Sequence, residues 1–118
     1  MRIAAIQMTS GANRQANIEQ ASLLIHKAVI HGAQLVGLPE NFAWMGPESE
    51  RLANAETLEG PTLTQLSALA REFHVTILAG SVLELGAPAG KLFNTSALLA
   101  PDGSIIAKYR KIHLFDVD

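Results

Sequence analysis

Val75-Thr76-Ile77-Leu78-Ala79-Gly80-Ser81-Val82-Leu83 decides the fold. The run is nearly continuous in apolar residues and has strand length, the pattern expected of a strand covered on both faces. Upstream of it, Leu63, Leu66, Ala70 and Phe73 form the buried stripe of a helix ending near His74. Thr62-Leu63-Thr64-Gln65 fits a capping box at its start. Glu59-Gly60-Pro61 separates that helix from residues 41–55, which are irregular apart from a brief helix expected at about 48–54. Residues 34–38 read as a short strand stopped by Pro39. Before it, Ile18, Ala21, Ile25, Ala28 and Val29 mark one face of a helix over 14–31, with Asn13 as N-cap and Gly32 just past its end. Residues 3–8 supply the first strand. Downstream, a loop at 86–90 leads to strands over 92–100 and 104–111, joined by Pro101-Asp102-Gly103, a tight hairpin turn. The order β-α-β-α-α-β-β-β implies an α/β layered fold with a mixed sheet.

A chain of 118 residues sets one domain as the default. A net charge of −2 offers no electrostatic footprint for nucleic acid or an anionic membrane surface. Hydrophobic residues make up 48%, which excludes a disordered tail. Charged residues are only 17%, against roughly 25% in an ordinary soluble domain. Such a shortage points to an exterior partly covered by more chain or by a partner. Cysteine is absent, so a disulfide scaffold, a thiolate metal site and a Cys nucleophile are all excluded within this sequence. No apolar run reaches membrane-spanning length, and residues 1–8 lack the apolar core of a signal peptide, so a cytoplasmic protein is expected.

Two residues stand out chemically. Glu40 follows Val36-Gly37-Leu38-Pro39 at the carboxyl end of a strand, the edge of an α/β sheet where ligands bind. Desolvation there would suit it to act as a general base; the plainer reading is a loop acid after a proline. Lys111 closes the run Lys108-Tyr109-Arg110-Lys111. Period-two alternation puts Tyr109 and Lys111 on one face and Lys108 and Arg110 on the other, so one basic residue points inward while the other two meet solvent. An inward lysine could stabilise an oxyanion, whereas lysines on an exposed edge strand guard against aggregation. His113 could donate a hydrogen bond near Lys111, although a structural role fits it better. His26 and His31 are not at metal-binding helical spacing, and neither phosphate-loop glycines nor a G-x-S-x-G elbow occurs. Phe42, Trp44 and Met45 follow Glu40 as candidates for a pocket wall or for packing.

Four stretches together resemble the nitrilase superfamily of carbon–nitrogen hydrolases: Ile3-Ala4-Ala5-Ile6-Gln7-Met8, Leu38-Pro39-Glu40-Asn41-Phe42, Glu56-Thr57-Leu58-Glu59-Gly60-Pro61-Thr62, and Asn94-Thr95-Ser96 through Asp102-Gly103 to Tyr109-Arg110-Lys111-Ile112-His113-Leu114-Phe115-Asp116. Within the superfamily the chain is most similar to the ω-amidase and deaminated glutathione amidase type. The resemblance implies a four-layer αββα sandwich, of which residues 1–118 are the N-terminal part of one domain. It implies a Glu-Lys-Cys mechanism on a small-molecule amide or nitrile, with Glu40 as general base, Lys111 as oxyanion stabiliser and no cofactor. The family's nucleophilic Cys lies beyond the Lys motif, in a C-terminal part missing from this sequence. The expected partners are therefore a complementary C-terminal segment or a second copy in a homodimer, with no nucleic acid and no membrane. The alternative is a catalytically inactive nitrilase-like fragment acting as an oligomerisation or binding module.

Overall fold

The structure is a computed structural model that describes residues 1–86 and 90–111. His113 and the middle of the expected 86–90 loop lie outside the described residues. Five strands form one mixed sheet in the order β1-β2-β3-β4-β5. The first three, β1 (Ile3–Ala5), β2 (Leu35–Gly37) and β3 (Thr76–Leu85), are parallel neighbours. The other two, β4 (Leu92–Leu99) and β5 (Ile105–Arg110), continue the sheet antiparallel. Helix α1 (Arg14–Ile30) crosses from β1 to β2, and α2 (Pro61–Phe73) from β2 to β3. The brief helix expected at 48–54 is a pair of 3-10 turns, Glu48–Glu50 and Leu52–Asn54.

The crossovers explain the layering. β-α-β connections are right-handed, and both step in the same direction along the sheet. Both helices therefore pack on one face. Ala21 and Ile25 of α1 and Leu63, Leu66 and Ala70 of α2 form one core with Val36, Ile77, Ala79, Ala97 and Leu99, and Ile18 of α1 is also buried. His26 of α1 stacks on Phe73 of α2, with ring centroids 5.0 Å apart. The opposite face carries no helix among the described residues. Ile3 is 63% exposed, Leu78 38% and Tyr109 59%. The two-sided burial expected for residues 75–83 is thus half met: Ile77 and Ala79 are buried, and the intervening Leu78 is not.

Local signals behave unevenly. Asn13 caps α1, accepting from the Ala16 amide, and Gly32 follows the helix in the left-handed conformation (φ 90°). The Pro101-Asp102-Gly103 turn closes with Gly103 N–H on the Ala100 carbonyl and Gly103 at φ 87°. The capping box at Thr62 does not form. Helix α2 starts earlier, with Gly60 as N-cap and Pro61 in its first turn. Its free amides are served from outside the helix: Glu56 accepts from both the Thr62 N–H and the Thr62 hydroxyl. Glu56 also pairs with Arg14 of α1 at 3.2 Å, so one carboxylate ties the two helices together.

Candidate active site

The Glu40 turn is seated on an irregularity in β3. The register between β3 and β4 shifts between Ala79 and Val82, which leaves Gly80 and Ser81 in a bulge. The backbone of Leu38 and Pro39 runs directly over Gly80, where a Cβ would overlap both carbonyl oxygens. On either side the turn is hydrogen-bonded to β3: Leu38 N–H to the Leu78 carbonyl at 2.9 Å, and Asn41 N–H to Ser81 Oγ at 2.9 Å. Asn41 takes a left-handed backbone (φ 53°), which asparagine tolerates better than most residues. The chain therefore reverses at Asn41, and Glu40 is presented beyond the sheet edge.

Lys111 arrives from the other side. It extends the β4–β5 ladder by one residue, its N–H donating to the Asn94 carbonyl at 2.9 Å. Leu83, Asn94 and Lys111 thus form one row across three strands, and residues in a row share a face. The Lys111 ammonium lies 3.7 Å from Glu40 Oε1. Asn94 Nδ2 donates to the same Oε1 at 2.8 Å. Both candidate residues line one open cavity of about 720 Å³. Trp44, Leu52, Leu83 and Phe93 supply apolar wall, and Met45, Arg51 and Lys91 also border it. Of the three candidates for the pocket wall, Phe42 is core, whereas Trp44 and Met45 reach the cavity.

Two expectations are corrected here. Desolvation of Glu40 is not met in this chain, because its side chain is 58% exposed. The cavity lies open where further covering is needed to exclude water. Arg110, assigned to solvent by alternation, instead binds a buried acid. Its Nε and Nη2 each donate at 2.8 Å to the Glu84 carboxylate, which is 6% exposed. Thr95 donates to the same carboxylate at 2.7 Å, and the guanidinium sits over the Phe93 ring. The Arg110 hydrogen bonds hold the Glu84 carboxyl below the usual glutamate range, against the opposing effect of burial. Alternation placed Lys108 and Arg110 on one face correctly; it could not show that an acid on β3 waits there.

Asn94 is the site residue that sequence reasoning missed as a participant. Its signal was an amide in the middle of a strand, a position asparagine normally avoids.

Comparison with known proteins identifies the family of the fold. Residues 2–118 match the carbon-nitrogen hydrolase family. The chain is 48% identical to the deaminated glutathione amidase of Synechocystis sp., over 98% of this chain and 43% of that protein. It is 39% identical to a human (Homo sapiens) omega-amidase, over 99% of this chain and 42% of the relative. The C. elegans NitFhit structure superposes with a TM-score of 0.87 at 29% identity, covering 98% of this chain and 29% of that one. The chain thus spans less than half the length of these relatives. It belongs to the carbon–nitrogen hydrolase family of the nitrilase superfamily.

Proposed function

We propose that this chain carries the general base and the oxyanion-stabilising cation of a small-molecule amidase, and that the nucleophilic thiol comes from outside these 118 residues. The observation that carries the proposal is the convergence of Glu40, after β2, and Lys111, after β5, to 3.7 Å in one cavity. An exposed ion pair of this kind adds only about 0–1 kcal/mol to stability, so its placement is better explained by chemistry than by folding.

The reaction follows from the three groups. Glu40 takes the proton of the thiol, and the thiolate attacks the amide carbon. The carbonyl π electrons move onto oxygen, and Lys111 stabilises the resulting oxyanion together with a backbone N–H. Glu40 then returns its proton to the departing nitrogen as the C–N bond breaks, releasing ammonia and leaving a thioester. Water, deprotonated by Glu40, attacks the thioester; the C–S bond breaks and the thiol is regenerated. The similarity to deaminated glutathione amidase and to omega-amidases supports an ω-amide of a 2-oxo acid as the substrate. The bare sheet face supports a second sheet packed there, completing a four-layer αββα sandwich.

The test joins the chain to a Cys-bearing C-terminal segment of the Synechocystis relative and measures ammonia release from such an amide. The joined protein should turn over, and Glu40→Gln or Lys111→Ala should abolish turnover. The chain alone should release no ammonia, since it has no cysteine. Turnover by the chain alone that Glu40→Gln removes would refute the proposal. A second reading, a non-catalytic module binding through the bare face, is favoured by the exposure of Ile3, Leu78 and Tyr109. It requires that the joined protein bind its segment yet remain inactive.

A further inference from the structure

We infer that Asn94 is a positioning residue for the Glu40 base: it fixes which carboxylate oxygen receives the proton. This rests on Glu40 acting as the base in the reaction proposed above.

The argument begins with mobility. A glutamate side chain that is 58% exposed explores many rotamers unless a partner holds it, and holding it costs conformational entropy. A base must keep its accepting oxygen within hydrogen-bond reach of the donor. Lys111 cannot supply that constraint alone, because 3.7 Å is beyond a good hydrogen bond and its ammonium is needed elsewhere in the reaction. Asn94 can. Its residue is only 8% exposed, and it sits in β4 between β3 and the end of β5. Its Nδ2 meets Oε1 at 2.8 Å, a good length for a donor to a carboxylate.

One residue serves both partners. The Asn94 side chain holds Glu40, while the Asn94 carbonyl accepts the Lys111 N–H. The Glu40 carboxylate and the Lys111 backbone are thereby both referred to one strand position. Among the described residues, both polar contacts of the Glu40 carboxylate fall on Oε1. Oε1 is therefore the anchored oxygen, which assigns the proton transfer to Oε2. An amide donor is also neutral and does not titrate, so the orientation survives each change in Glu40 protonation through the cycle.

Two measurements test this. In the 118-residue chain, the Asn94 side-chain amide resonances should move when Glu40 is changed to Ala, and Glu40→Ala should leave the remaining spectrum in place. Unmoved Asn94 resonances would overturn the contact with no reference to turnover. In the joined protein, Asn94→Leu should lower kcat by about 10- to 100-fold with KM changed less than about threefold, the signature of a misplaced base. Asn94→Asp, which keeps the shape and loses the donor, should fall at least as far. Asn94→Gln, which keeps the donor, should recover part of the rate. If Glu40→Gln abolishes turnover while Asn94→Leu leaves kcat within about twofold, the positioning role fails and the base assignment stands. If Glu40→Gln is fully active, the assignment of the base fails instead.

Discussion

Replacing Gly80 by Ala tests whether the β3 bulge seats the Glu40 turn. A Cβ there falls well inside the 3.0 Å limit of real contacts with the carbonyl oxygens of Leu38 and Pro39, which are backbone atoms and cannot rotate away. Restoring an allowed distance moves the turn outward by about 1 Å, an overpacking that costs about 1–3 kcal/mol. Replacing glycine also restricts the unfolded chain, which alone stabilises by about 0.4–1 kcal/mol. The balance spans about 0–2.6 kcal/mol of net loss, with its middle at about 1.3 kcal/mol. The same movement stretches the 2.8 Å bond from Asn94 to Glu40 past hydrogen-bond length. Urea unfolding followed by circular dichroism reads the first effect. The Asn94 side-chain amide resonance reads the second. A Gly80→Ala protein that is as stable as the parent or more so, with the Asn94 resonance unchanged, would refute the reasoning, because a glycine without a steric role yields that result. Ser81→Ala provides an independent check, since it removes the acceptor of the Asn41 N–H and should cost about 1–3 kcal/mol without any clash.

Other expectations follow from the same structure. Glu56→Ala removes the outside cap of α2 and its tie to Arg14, and should cost about 1–2 kcal/mol in urea unfolding. Leu66→Ala empties a fully buried site between α2 and the sheet and should cost about 2–5 kcal/mol by the same assay. The Glu84 carboxyl is held below its unfolded value, chiefly by Arg110, so its ionised form stabilises the fold above the ordinary glutamate range. That contribution is lost as pH falls through the depressed folded value. Urea midpoints measured from neutral to acid pH should show this decline, and Arg110→Met should flatten it.

The features legible in the sequence share one property: their partners are close by in the chain. Asn13 caps an amide three residues on, Gly32 ends the helix it follows, and Asp102-Gly103 closes a hairpin between adjacent strands. Glu40 was legible because a strand end announces itself, and Lys111 because alternation turns it from its neighbours. The family resemblance brought those two together; nothing local did. What escaped reading depends on residues far apart. Glu56 caps α2 from beyond the helix, so Thr62-Leu63-Thr64-Gln65 gave a false start. Arg110 turns inward to a glutamate on another strand. The bulge at Gly80 exists to admit a backbone that departed some forty residues earlier. The exposure of Leu78 was hidden because a strand's apolar run shows that a face wants cover, not whether the cover is present.

The mixed pairing of the sheet has a kinetic consequence. A hairpin such as β4–β5 zips on its own within microseconds, whereas three parallel strands must wait for two helical crossovers to condense, a slower search through distant contacts. Glu40 follows the parallel strand β2, and Lys111 follows the hairpin strand β5. Their encounter therefore requires the parallel and antiparallel parts of the sheet to dock in correct alignment, and until they do the acid and the cation remain strangers.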